Sequence, residues 1–370
     1  MRKMMRVVFT GGHAATTAIA TIEELTKDNS KSRTWEIYWI GPKSAIEGKE
    51  VKPLEDLVFP RLGVITRSII AGRLQMKFSI WTIPSMLKIP IGFLNAFWEL
   101  IKIKPKLILS FGGYAAFPVV VAGFILRIPV IIHEQTATVG RANKFASIFA
   151  RKIALARVES LNFFPKNKCV VTGNPILSNI LEVNKKIKPN FPITVFVTGG
   201  SRGSQTINNM IVKILPKILT KYKLIHQTGP MDFKDIASLK KSLPETLSSN
   251  YQIHSRINPL DMDKIYKISD ILVGRAGANT VSEIMAVRIP SILIPIPFSY
   301  QDEQTKNARY AEKFGIAKVI KQDSLTPASL FKEINYMAGN WNYYMSKTKR
   351  KISPDIRASE KLVKLLKETV

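Results

Sequence analysis

Apolar residues along this chain follow two patterns. One is a set of short Val-, Ile- and Leu-rich runs of strand length; the other is a set of longer stretches in which apolar positions recur at helical spacing. The short runs predict buried strands at 6–10, 35–40, 107–110, 130–133 and 168–172, and again at 194–198, 222–227, 271–273 and 291–295. Strands alternating with helices imply an α/β fold with parallel sheets covered on both faces.

The pattern starts twice. "MRVVFTGGHAATTAIATIEEL" at the N-terminus and "ITVFVTGGSRGSQTIN" in mid-chain each run a β-branched strand into Thr-Gly-Gly and then into a helix: Thr10, Gly11, Gly12, and later Thr198, Gly199, Gly200. Two Rossmann-like doubly wound domains are therefore expected: 1–177, a polar linker at 178–192, and 193–340. A final helix within 341–370, opening at Ser353 as N-cap with Pro354 at the first helical position, is expected to pack back towards the N-terminal domain. Ligands of open α/β sheets bind at the carboxyl ends of the strands, so two such domains facing across a cleft would each present a glycine turn to it. Such turns let backbone N–H groups and a helix dipole approach a phosphate. Neither copy is Gly-x-Gly-x-x-Gly with an acidic residue about 20 positions on, which counts against a dehydrogenase.

Composition narrows the chemistry. With 55 Lys and Arg against 27 Asp and Glu, the 370-residue chain carries a net charge of +28, which attracts polyanions: nucleic acid, an anionic membrane or phosphorylated substrates. Cys169 is the single cysteine, so neither an intrachain disulfide nor a cysteine-rich metal site can form. The apolar stretch at 78–101 carries Lys88, Glu99, Pro84 and Pro90, which suits contact with a membrane better than a span. Around it, residues 61–106 interleave large apolar side chains with Arg67, Arg73, Lys77, Lys88, Lys102 and Lys104. That reads either as core-facing helices with a solvated basic face or as an interfacial surface.

"DILVGRAGANTVSEI" (270–284) is the most informative stretch. Thr280 and Glu283 have the spacing of a capping box, in which Glu283 would reach back to the Thr280 N–H. The functional alternative is a carboxylate at a helix start that accepts two hydrogen bonds from a ribose diol. "DMD" at 261–263 is read as an ordinary helix start, with Asp as N-cap, in preference to a metal site. Of four histidines, His226 and His254 lie at strand ends and are read as structural, leaving His13 and His133.

The segments "LSFGGYAAFP", "VIIHEQTATVGRANK", "VTGNP", "VTGGSRGSQTIN", "HQTGP", "GRAGANTVSEI" and "QDEQTKNA" follow one another as in the MurG family, which the chain resembles over nearly its whole length. The resemblance implies the GT-B fold of glycosyltransferase family 28 and transfer of N-acetylglucosamine from its UDP donor to a muramyl-pentapeptide pyrophosphoryl-undecaprenol acceptor. It implies donor-binding roles for Thr10, Gly11 and Gly12, for Ser201, for Gly277, Ala278, Asn279, Thr280, Val281 and Ser282 along the nucleotide, for Glu283 at the ribose and for Gln304 at the sugar. Thr136, where the family has asparagine, joins that set, and Tyr114 and Glu134 fall on the acceptor side. Further departures from the family pattern are Val8 and Phe9 for two glycines, Ala15 and Thr16 for an aromatic-proline pair, Leu177 for arginine, Arg202 for glutamine, and Glu303 for glutamine or histidine.

The reading is thus an inverting hexosyltransferase of peptidoglycan synthesis, with no metal and no cofactor. His13 is the candidate general base, since imidazole titrates near pH 6.5 and accepts a proton at neutrality; Glu134 is second. Expected partners are UDP-N-acetylglucosamine, a polyprenyl-diphosphate-linked muramyl-peptide and the anionic inner-membrane surface, to which the enzyme would be peripheral on the cytoplasmic side. The alternatives are a UDP-N-acetylglucosamine 2-epimerase-like isomerase and a related transferase with another donor or lipid acceptor. A nucleic-acid partner is not expected, because the basic stretches carry no RNA- or DNA-binding motif.

Overall fold

The computed structural model describes residues 3–12, 15–27, 33–44, 54–70, 72 and 82–370. The chain divides into two compact units, Met1–Leu177 with Pro354–Val370, and Ser178–Ser353. The first holds seven parallel strands: β1 (Lys3–Thr10), β2 (Arg33–Pro42), β3 (Ile65–Ile69), β4 (Leu107–Ser110), β5 (Val130–Glu134), β6 (Lys152–Leu155) and β7 (Cys169–Val171), in the order β3-β2-β1-β4-β5-β6-β7. The second holds six: β8 (Thr194–Thr198), β9 (Lys223–Gln227), β10 (Tyr251–His254), β11 (Ile271–Gly274), β12 (Ser291–Leu293) and β13 (Ala317–Val319), in the order β10-β9-β8-β11-β12-β13. Central strands β4, β5, β8 and β11 are buried at every position, as parallel strands covered on both faces must be. In each sheet the order reverses between the first strand and its neighbour, β1/β4 and β8/β11, and that switch point opens the crevice for a ligand.

All nine expected strands are present. The missed four, β3, β6, β10 and β13, are short; β3, β10 and β13 are edge strands, where incomplete burial leaves a weak pattern, and β6 lies next to the edge strand β7.

Segment 178–192, read as a linker, is tied into the second unit. Its helix Ser178–Leu181 packs on the helices Met262–Ile268 and Ala278–Val287. The buried carboxylate of Asp270 accepts from Lys186 Nζ at 2.7 Å, Asn190 N at 3.0 Å and Thr194 N at 2.8 Å, so one lysine of the segment is an anchor. Helix Trp341–Thr348 belongs to the second unit too, its Trp341 Nε1 donating to Asp270 O at 3.0 Å.

The final helix, Ala358–Thr369, packs in the first unit against helix Ala15–Lys27 and β4. It starts later than Ser353. Asp355 is drawn into a buried ion pair with Arg157 and accepts Asn174 N at 2.8 Å, which holds 354–357 as a turn.

Candidate active site

In the second unit the candidate site residues come from loops at the carboxyl ends of β8, β11 and β12. After β8, Thr198 Oγ1 accepts from Gly200 N at 3.0 Å and donates to Gln227 Oε1 at 2.9 Å. Gly200 and Gly203 have φ of 80° and 79°, and a Cβ on Gly203 would lie 2.1 Å from Thr228 O, so the loop closes only with glycine there. Its tip, Ser201 and Arg202, is exposed, and among the described residues neither side chain has a hydrogen-bond partner. Ser204 caps helix Gln205–Leu219 by accepting from Ile207 N.

After β11 comes helix Ala278–Val287, with Gly277 at its N-cap and no side-chain cap. The first N–H groups of such a helix have no partner within it and carry the positive end of its dipole. Gly277, Ala278, Asn279 and Thr280 are partly exposed. Val281 and Ser282 are not: both are buried, and Ser282 Oγ donates to Ala278 O at 3.0 Å, because helical periodicity turns these positions to the core.

The capping box does not form. Glu283 Oε2 instead accepts from the Tyr266 hydroxyl at 2.6 Å, across the packing of two helices. Burial raises the Glu283 pKa to about 7, with the Tyr266 hydrogen bond pulling in the opposite direction.

After β12 the chain turns through Gln301 and Asp302, both left-handed with φ of 54° and 57°. Non-glycine residues there carry roughly 1–3 kcal/mol of strain each, and such strain gathers at functional sites. The turn sets Gln304 at the start of helix Glu303–Phe314. Gln304 Oε1 accepts from Ile296 N at 3.1 Å and its backbone N donates to Ser299 Oγ at 3.2 Å. With the carbonyl so engaged, the side-chain NH₂ is the donor that Gln304 has left.

Arg275, which sequence reading passed over, joins these loops. Its Nη2 donates to Ser204 Oγ and Gln322 Oε1, both at 2.8 Å, and Nη1 to Ile294 O at 3.0 Å. Burial lowers its pKa. A cation thus stands behind the second glycine turn, although Leu177, in the family's arginine position, is buried and apolar. Tyr266 was missed as well; only its place one helix before the 270–284 stretch hinted at it.

Asp261 and Asp263 are each engaged by lysine, Lys264 Nζ at 2.6 Å and Lys267 Nζ at 3.0 Å. Asp261 does stand at the N-cap of Met262–Ile268, yet without a capping hydrogen bond. His226 is structural: Nε2 lies 2.9 Å from Asn208 Oδ1 and Nδ1 2.9 Å from the Tyr251 hydroxyl. Asn208 Nδ2 donates to Thr228 O at 2.8 Å, which assigns Oδ1 as acceptor and makes the Nε2–H tautomer the consistent one. Burial lowers the His226 pKa to about 4 and that of His254 also below its usual value.

In the first unit, Gly12 N donates to Gly112 O at 3.0 Å, and a Cβ on Gly113 (φ 92°) would lie 2.9 Å from Gly12 Cα. Turns β1 and β4 therefore meet backbone to backbone, with Thr10, Gly11 and Gly12 all buried. The Gly12 N–H is committed to this contact and is unavailable to a diphosphate. Tyr114 follows on the same turn, half-buried.

Glu134 is an organiser of its loop. Oε1 accepts from Thr136 N at 3.2 Å and Thr136 Oγ1 at 2.8 Å, and Oε2 from Gly140 N at 3.0 Å and Asn143 Nδ2 at 2.9 Å. Four donors thus converge on this buried carboxylate, and Thr136, expected to bind donor, uses its hydroxyl here. His133 Nε2 lies 3.0 Å from Gly173 O, fully buried, with its pKa lowered to about 4 by burial. His13 lies outside the described residues.

Comparison with known proteins follows the same division. Residues 4–155 match the glycosyltransferase family 28 N-terminal domain and residues 194–365 its C-terminal domain. A UDP-N-acetylglucosamine–N-acetylmuramyl-(pentapeptide) pyrophosphoryl-undecaprenol N-acetylglucosamine transferase of Halalkalibacterium halodurans is 34% identical over 336 residues, covering 88% of this chain and 87% of its own. One of Clostridium botulinum is 32% identical over 375 residues, covering 98% and 99%. Among solved structures, Acinetobacter baumannii MurG aligns with a TM-score of 0.69 at 24% identity over 98% of this chain and 99% of that one. A UDP-GlcNAc 2-epimerase from Neisseria meningitidis reaches a TM-score of 0.69 at 15% identity over 99% and 100%. At such identities the likeness speaks for the GT-B fold, which transferases and epimerases share. The sequence relatives, spanning both domains, decide between them: the chain belongs to the MurG family of glycosyltransferase family 28.

Proposed function

We propose that this protein moves N-acetylglucosamine from UDP-N-acetylglucosamine to a muramyl-pentapeptide pyrophosphoryl-undecaprenol acceptor, the reaction named for its relatives. The observation that carries the donor half is Glu283: a carboxylate in the helix that follows β11, released from capping, near that helix's N-terminus and in one unit with the side-chain amide of Gln304. A diol, a diphosphate and a sugar oxygen are what these three groups recognise in turn. In the reaction the acceptor hydroxyl gives its proton to a base and its oxygen bonds to the anomeric carbon. The bond from that carbon to the phosphate oxygen breaks with inversion, and UDP leaves with the electron pair. Backbone N–H groups and the dipole of helix Ala278–Val287 favour the charge that develops on the diphosphate. His13 is the proposed base.

The acceptor's polyprenyl tail calls for a membrane-facing surface, and exposed apolar side chains of the first unit support that reading. Ile91, Leu94, Trp98 and Ile101 are exposed on helix Thr82–Ile103, Phe124 and Ile125 at the end of the neighbouring helix Ala116–Ile125, and Phe145 and Ile148 beyond it. Phe124, Ile125 and Ile148 line a cavity of about 570 Å³ together with Arg127, Arg151 and Lys168. Apolar side chains rimmed by cations suit an anionic lipid surface. Of the cations expected from the sequence, Lys104 is exposed. Arg67 and Lys102 both lie 3.5 Å from Glu99, while Arg73, Lys77 and the Lys88 side chain fall outside the described residues. No helix among the described residues is long and apolar enough to cross a membrane.

The test is turnover of UDP-N-acetylglucosamine with and without a short-chain lipid-linked muramyl-peptide. UDP release that requires the acceptor supports transfer. Acceptor-independent formation of the 2-epimer would overturn it in favour of an isomerase.

A further inference from the structure

The Tyr266 hydroxyl sits 2.6 Å from Glu283 Oε2, and among the described residues this is the one hydrogen bond either side chain makes. Tyr266 is 2% exposed, and its ring lies edge-on to Phe196 with centroids 6.4 Å apart and planes at 78°. Packing therefore fixes where the hydroxyl is. Glu283 has the flexible side chain of the pair, and its first choice within its own helix, the Thr280 N–H, is not taken.

We propose that Tyr266 is a positioning residue for donor binding, holding the Glu283 carboxylate with its free edge turned to the ribose diol; the inference rests on the donor-binding reading of Glu283. A carboxylate offers about four lone-pair positions over two oxygens. A 2′,3′-diol donates two hydrogen bonds, best taken one on each oxygen. A single donor fixed on Oε2 leaves one position there and both on Oε1, so the diol meets a carboxylate that already has its orientation. Without the tyrosine hydroxyl the side chain would turn between its own helix N-terminus and solvent, and the donor would have to order it.

The experiment compares steady-state kinetics of the full-length wild type, Tyr266→Phe, Glu283→Ala and the double variant at pH 8. Tyr266→Phe keeps the ring against Phe196 and removes one oxygen. The expected result is a donor KM raised roughly ten-fold with kcat held within two-fold. No further rise should follow in the Glu283→Ala background. Tyr266→Met, which fills similar space without a donor, should behave alike and serves if the phenylalanine variant does not fold.

A wild-type KM in Tyr266→Phe beside a raised KM in Glu283→Ala would overturn the positioning role and leave Glu283 on the ribose. A normal KM in Glu283→Ala would overturn both. Equal rises with and without Glu283, or a loss confined to kcat, would also sink the proposal, since the hydroxyl would then act elsewhere.

Discussion

Arg157 and Asp355, 198 positions apart in sequence, face each other through two hydrogen bonds, Nη1 to Oδ1 at 2.7 Å and Nη2 to Oδ2 at 2.8 Å. Both side chains are shut off from solvent. Removing one partner of a buried pair leaves the other charge unmatched and costs about 3–5 kcal/mol. Arg157→Met should lower the urea midpoint of the protein accordingly, with Arg157→Met/Asp355→Leu recovering much of the loss. A single variant within about 1 kcal/mol of wild type would mean that water reaches the remaining carboxylate.

Glu283→Ala should weaken UDP-N-acetylglucosamine binding by roughly ten- to a hundred-fold, the worth of a hydrogen bond to a charged group at about 1.5–3 kcal/mol. Thermal stability of the unliganded protein should fall by no more than about 1–3 kcal/mol, the cost of leaving the buried Tyr266 hydroxyl without its partner, because the side chain caps nothing in its own helix. Calorimetric titration beside a melting curve checks both. Normal binding with a lowered Tm would restore the carboxylate to a purely structural part.

The Glu283 pKa of about 7 gives donor binding a pH dependence. Accepting two hydroxyl protons requires the ionised form, so affinity for the donor should be about ten-fold weaker at about pH 6 than at about pH 8. A pKa raised above its ordinary value in the folded state works the other way on stability. The group favours the unliganded fold most below about pH 4.5, and that contribution is lost as pH rises through about 7. Affinity and unliganded stability should therefore move oppositely across this window as far as this group is concerned. Glu283→Gln should flatten the binding profile; a profile unchanged by that substitution would assign the titration to another group.

Vesicles containing anionic lipid should capture the protein, and added salt should release it as screening shortens the reach of the cations. Replacing Phe124 and Ile148 with glutamate should abolish capture, and Arg127→Glu with Arg151→Glu should weaken it and flatten its salt dependence. Capture unaffected by either pair would move the lipid-facing surface away from this cavity.

How far the sequence was legible depended on how local each cause was. Fully buried strands such as 107–110 and 194–198 announced themselves because burial on both faces demands an unbroken apolar run, with polar residues only at the ends, Ser110, Thr194 and Thr198. The two Thr-Gly-Gly turns were legible for a similar reason: in the second, Gly199 admits no Cβ beside Ser204 N. What stayed hidden was partner choice at a distance. Nothing in "TVSE" tells that Glu283 will ignore Thr280 for a tyrosine one helix away, nor that Asp355 will leave its own helix for Arg157. The four donors to Glu134, spread over residues 136–143, become a cage only once the loop closes. Spacing reports which residues can meet along one helix or turn. It is silent on competition from elsewhere in the fold.

The first unit is assembled from two pieces of chain with the whole second unit threaded between them. On the ribosome, residues up to Leu177 emerge while the helix Ala358–Thr369, which covers Ala15–Lys27, has yet to be made. At roughly 5–20 residues per second, that interval lasts on the order of 10–35 seconds. Through it the nascent first unit carries an uncovered apolar helix and the unmatched guanidinium of Arg157, and it is a natural client for a holding chaperone. Synthesis order thus makes the second unit the first to be finished, and a chain that stalls between 177 and 354 leaves the ribosome with its first unit unsealed.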